Sequence, residues 1–157
     1  MTIKNILRLL ACIAFPVAVG GFSGFLTVAN ISGWYTTLAK PSFNPPNYLF
    51  GPVWTLLYVL MGVSFYLVLN QPKSKERSLG FAIYGIQLFL NFWWSIIFFS
   101  LKRVDFAMVE IVVLWITILG MIIVFFKVKK QAAYLQIPYL LWVSFASALN
   151  LGILLLN

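Results

Sequence analysis

Two stretches of the sequence repeat carboxamides and indoles at helical spacing. Gln87, Asn91 and Trp94 lie four and three residues apart, which puts two amides and an indole on one face of a helix. Trp142, Ala146 and Asn150 recur every four residues and place an indole, a gap and an amide on one face in the same way. Amides and indole N–H groups are poor proton-transfer agents; they offer hydrogen bonds at the rim of flat aromatic surface. In apolar surroundings that combination suits recognition of a flat, largely apolar molecule. Other chemistry is short of reagents. The chain has no histidine, one cysteine (Cys12) and three acids among 157 residues. Catalytic triads, imidazole metal sites and histidine-ligated haem therefore have no basis here, and no intramolecular disulfide can form. No metal site is expected and no cofactor is required.

Each face also has a plainer reading. The Trp142 face reads as pocket lining or as helix packing. The Asn91 face reads as a cavity wall or as an interhelical hydrogen bond, to Asn150 for example. Both readings put Asn91 inside. Ser144, Ala148 and Gly152, on nearly the opposite side of the Trp142 helix, read as a packing surface, and Gly20 and Gly24 form another small-residue pair. Trp34, Tyr48, Tyr66 and Tyr134, near the ends of apolar runs, read as interfacial anchors. Trp54, Trp94, Trp115 and Trp142 lie deeper, either as packing or as a box around a planar ligand; Trp115, in a run without polar neighbours, reads as packing. Glu110 is the one acid placed to enter the membrane. It lies about one and a half turns inside its helix, close enough to the interface to stay hydrated, and one such group is too few for a proton relay.

These faces must be held by helices that live in a bilayer. The composition is 62% hydrophobic and 9% charged, against roughly 45 to 50% and about 25% in soluble domains. Five apolar segments, at about residues 5–28, 50–70, 79–101, 104–127 and 132–155, have the roughly 20-residue length of a membrane span. The expectation is an all-α integral membrane protein, a five-transmembrane-helix bundle with residues 1–157 as a single domain. Leu9-Leu10-Ala11-Cys12 resembles a lipoprotein cleavage box, but Arg8 leaves almost no apolar stretch ahead of it, so the first segment reads as a span. Residues 29–49 carry Pro41, Pro45 and Pro46 and read as a shaped, non-helical loop. Asp105 is placed to cap the fourth helix, and Pro138 falls inside the fifth.

The net charge of +8 is spread singly between apolar runs, which points to membrane topology and not to nucleic acid. Lys4, Arg8, Lys73, Lys75, Arg77, Lys127, Lys129 and Lys130 fall on one side, Lys40, Lys102 and Arg103 on the other. An excess of cations inside puts the N-terminus in the cytoplasm and the proline loop and C-terminus on the opposite side.

The run from Trp34 to Pro46, followed by Gly51-Pro52-Val53-Trp54 and Leu57-Tyr58, resembles the signature of the TspO/MBR family, the tryptophan-rich sensory proteins and translocator proteins. Gln87-Leu88, Asn91, Trp94-Ser95 and Phe98-Phe99 resemble its third helix, and Pro138-Tyr139, Trp142, Phe145-Ala146 and Leu149-Asn150 its fifth. The resemblance implies a five-helix bundle, usually a homodimer, that binds porphyrins and benzodiazepine-site ligands under the first loop. Carried over residue by residue, the ligand site is Tyr35, Pro45, Trp54, Tyr58, Asn91, Trp94, Trp142 and Ala146. The first functional expectation is a receptor or carrier for tetrapyrroles such as protoporphyrin IX, with Lys40, Lys102 and Arg103 attracting propionates. A light- and oxygen-dependent protoporphyrin-degrading enzyme using Trp54 and Trp142 is the alternative, because some bacterial members are associated with that reaction. A lipid-filled scaffold is the third. Leu151 to Asn157 lack the tyrosine and basic residue of the animal sterol motif, so sterol transport is not carried over, and a bacterial cell membrane is the expected location.

Overall fold

The structure, a computed structural model, describes residues 2–157. Helix α1 spans Ile3–Ser32, α2 is the short Trp34–Thr37, and a 3₁₀ turn at Asn47–Leu49 leads into α3, Phe50–Leu69. Helix α4 is Lys75–Ser95 and continues as a π-helical turn over Ile96–Ser100; α5 is Val104–Val128, α6 is Lys130–Tyr134 and α7 is Ile137–Leu156. Five of these segments are long and apolar enough to cross a membrane.

The differences from expectation lie at the ends. The first span is longer than residues 5–28, since Pro16 and the glycines after it are absorbed into one helix. The polar turn before the third span is partly helix, because the Ser74 hydroxyl accepts from the Arg77 backbone N–H at 3.0 Å and starts α4 at Lys75, a serine N-cap. Arg77 also donates to the Leu69 carbonyl at 2.8 Å, which satisfies the end of α3. Asp105 does not cap α5. Its carboxylate takes two bonds from the Arg103 guanidinium, at 2.9 and 2.6 Å, while Lys102 turns the chain at φ 56°. The fifth span is two helices, not one. Pro138 has no N–H to give, so it sits in the first turn of α7 after the break at Leu135 and Gln136. The loop of 29–49 is also less irregular than expected, with α2 formed ahead of its prolines and the 3₁₀ turn after them.

Helix α5 packs against both α4 and α7, and α1 packs chiefly on α3. Gly62 makes the α1–α3 approach close: a Cβ there would run into the α1 backbone at Cys12 and Ile13. At the cation-rich end Met61, Val68, Met121, Phe125, Ala132 and Ala133 are completely buried, and the Ser64 hydroxyl donates to the Ala132 carbonyl at 2.7 Å, tying α6 to α3. Toward the other end the helices separate.

Candidate functional site

The separation encloses a cavity of about 420 Å³ walled by α1, α3, the end of α4 with its π turn, and α7, with Tyr35 of α2 reaching into it. That volume lies in the usual range for small-molecule sites, roughly 300 to 1,000 Å³. Among the described residues that line it, none is charged.

Its rings are set by packing and by hydrogen bonds behind them. Trp54 stacks on Tyr58 with ring centroids 5.6 Å apart, and Tyr58 fits because the facing residue on α1 is Gly20, where any side chain would overlap the phenol ring. The Tyr58 hydroxyl donates to Asn91 Oδ1 at 2.6 Å, Asn91 Nδ2 donates to the Tyr139 hydroxyl at 3.1 Å, and that hydroxyl donates to Gln87 Oε1 at 3.0 Å. All four groups are buried, so the chain of bonds works at low dielectric, where hydrogen bonds are strong and fix geometry; Gln87 Nε2, at its end, has no partner among the described residues. Trp94 donates from Nε1 to Asn150 Oδ1 at 3.3 Å, and Asn150 Nδ2 donates to the Val104 carbonyl at 3.0 Å. Trp142 lies edge-on to Phe50 with centroids 5.9 Å apart.

Above the cavity the loop is fastened at three points. Tyr35 is buried, its hydroxyl donates to Asn44 Oδ1 at 3.0 Å, and its ring meets Phe98 and Phe99 edge-on; burial pushes its phenol pKa up. The Ala39 N–H donates to Asn157 Oδ1, and Asn157 Nδ2 donates to the Ala39 carbonyl, both at 3.0 Å. Pro41 rests on Gly152 of α7.

A model of the TspO/MBR family matches residues 12–156. The tryptophan-rich protein TspO of Chlorobaculum tepidum is 46% identical over 155 residues, covering 98% of both chains. The chain belongs to the TspO/MBR family. It is an integral membrane protein. The tryptophan-rich protein TspO of the archaeon Archaeoglobus fulgidus is 42% identical across 98% of this chain and 99% of its own. The translocator protein of Sus scrofa is 33% identical across 84% of this chain and 82% of its own.

Of the eight residues that the family resemblance singles out, Tyr35, Trp54, Tyr58, Trp94, Trp142 and Ala146 line the cavity. Asn91 stands behind the wall, holding Tyr58. Pro45 lies in the loop, where its carbonyl accepts from Asn44 Nδ2 at 3.0 Å. Asn91 and Asn150 are not bonded to one another; each has its own indole or phenol partner. Trp115, read as packing without polar neighbours, donates to Ser144 Oγ at 2.7 Å. The carboxylate oxygens of Glu110 are shut off and without a hydrogen-bond partner among the described residues, in contrast to the hydrated position expected. Two of the three cations on the cavity side are engaged: Arg103 by Asp105, and Lys40 by the Leu38 carbonyl at 3.2 Å and the Tyr35 ring at 4.7 Å.

The α1 wall was missed as a site. Gly20, Gly24, Thr27 and Ile31 follow one helical stripe and line the cavity along with Ser23. Their spacing of four, three and four was present in the sequence, but small residues in a membrane helix read first as helix contacts.

Proposed function

We infer that this TspO/MBR protein is a membrane receptor or carrier that takes a flat tetrapyrrole, such as protoporphyrin IX, into the cavity under the first loop. The observation that carries this reading is the wall itself: Trp54, Tyr58, Trp94 and Trp142 supply aromatic surface from three helices to an uncharged cavity. Planar rings gain from offset stacking and edge contacts with such a wall. Two or three fixed polar groups then orient the ligand. Benzodiazepine-site ligands, also flat and largely apolar, suit the same surface. In this reading the chain works as a homodimer in a bacterial cell membrane with its N-terminus in the cytoplasm. The cation distribution supports the orientation, and the exposed Ser144 and Ala148 on α7 offer a surface for a second copy.

The test is titration of detergent-purified protein with protoporphyrin IX in the dark, followed by tryptophan fluorescence. The expected result is saturable quenching that weakens about tenfold in Trp142→Phe, a loss of the size of one good aromatic or hydrogen-bond contact. Illuminating the same samples separates the degrading alternative, which rests on Trp54 and Trp142 both lining the cavity. A spectral change faster than porphyrin alone, and lost in Trp142→Phe, would replace carriage with degradation. No saturable quenching would leave a lipid-filled scaffold.

A further inference from the structure

The hydroxyls of Thr27, Ser32, Thr55, Thr117, Ser144 and Ser147 all bond to a backbone carbonyl three or four residues earlier in their own helix. This is the usual way a serine or threonine is satisfied inside a membrane helix. Ser23 departs from it. It lines the cavity from α1 and is only 2% exposed, yet its Oγ has no hydrogen-bond partner among the described residues. On a separate wall, Trp142 Nε1 is likewise buried and without a partner. Of the other indole and phenol groups of the lining, those of Tyr35, Tyr58 and Trp94 are already spent on Asn44, Asn91 and Asn150; the Trp54 indole lines the cavity too, but its N–H is not among the buried unpartnered groups.

We propose that Ser23 is a specificity-determining residue of the cavity, donating a hydrogen bond to a neutral carbonyl oxygen on the rim of a flat ligand that spans from α1 toward Trp142. The inference rests on the tetrapyrrole reading above and narrows it. A buried hydroxyl and a buried indole N–H both lose by staying unpaired, so a ligand that presents an acceptor recovers what a purely hydrocarbon ligand cannot. The acceptor is neutral because the lining supplies no cation to offset a carboxylate drawn out of water. An ester, an amide, a ring ketone or a protonated acid meets the requirement; an ionised propionate does not.

Two porphyrins of similar shape test it: protoporphyrin IX dimethyl ester, which carries neutral carbonyls, and etioporphyrin, whose rim is alkyl only. Dark fluorescence titrations are run on the wild type and on Ser23→Ala, a substitution that removes one oxygen and adds no bulk, with thermal unfolding in detergent as the check on folding. Ser23→Ala is expected to weaken the dimethyl ester about fivefold or more, to leave etioporphyrin within about twofold, and to leave the melting temperature in place. Equal losses for both porphyrins would mean that Ser23 acts through shape, and no loss for the ester would mean that it makes no contact; either overturns the proposal while the cavity remains a porphyrin site. If neither porphyrin quenches the wild type saturably, the tetrapyrrole reading falls and this inference falls with it.

Discussion

At the cation-rich end Met61, Val68, Met121 and Phe125 are completely buried, whereas at the other end the same helices part around a cavity of about 420 Å³. Glycines act in two opposite ways. Gly62 admits the α1 backbone and Gly80 admits the Phe125 ring, so each missing side chain is filled by a neighbour. At Gly21, Gly24 and Gly51, which line the cavity, a Cβ would meet nothing within 4 Å. Absence of a side chain thus produces contact at some positions and space at others, and even beside the cavity Gly20 is filled by the Tyr58 ring and Gly152 by Pro41. The sign depends on whether the opposing helix is close enough to use the room.

The largest effect should come from Gly62→Leu, which forces α1 and α3 apart where they touch. Overpacking of this kind costs about 3 kcal/mol or more, and the variant is expected to yield little folded protein on size-exclusion chromatography in detergent. Met121→Ala opens a hole in the solid end and should cost about 3 kcal/mol, seen as a clear drop in thermal midpoint with porphyrin binding retained at low temperature. Tyr139→Phe leaves Asn91 Nδ2 and Gln87 Oε1 buried without their partner, at a cost of about 2 kcal/mol. Because Asn91 then holds Tyr58 less firmly, porphyrin affinity should fall as well, and a stability loss with unchanged affinity would show that the wall does not depend on the bonds behind it. Gly24→Ala is expected to do least. It places a methyl in open space and improves helix propensity, so stability should rise by at most about 1 kcal/mol; a marked loss would mean that the outer half is closed as tightly as the inner.

Much of this architecture was legible in the sequence, for identifiable reasons. Apolar runs of membrane-spanning length and the single cations between them report helices directly, because the bilayer leaves no other way to satisfy the backbone. The inward position of Asn91 followed from its amide, but its partners did not, since choosing among Tyr58, Tyr139 and Asn150 needs the relative rotation of three helices. The break before Pro138 was hidden because proline is equally at home in a first turn and at a kink. Ser23 gave no signal at all. A serine in a membrane helix is ordinarily satisfied by its own backbone, and only the side-chain geometry distinguishes the one that is not. Glu110 was misjudged by depth along the helix, which says nothing about which neighbours cover the side chain.

The paired bonds between Asn157 and Ala39 join residues 118 positions apart in the chain. In a ribosome-bound, partly inserted chain the loop can already lean on Phe98 and Phe99 through Tyr35, but its Ala39 point has no partner until α7 is in place. The same helix supplies a wall of the cavity, so wall and roof fastening arrive together: the site is assembled in one step when α7 docks, and the four earlier spans alone present an open groove to the surrounding membrane.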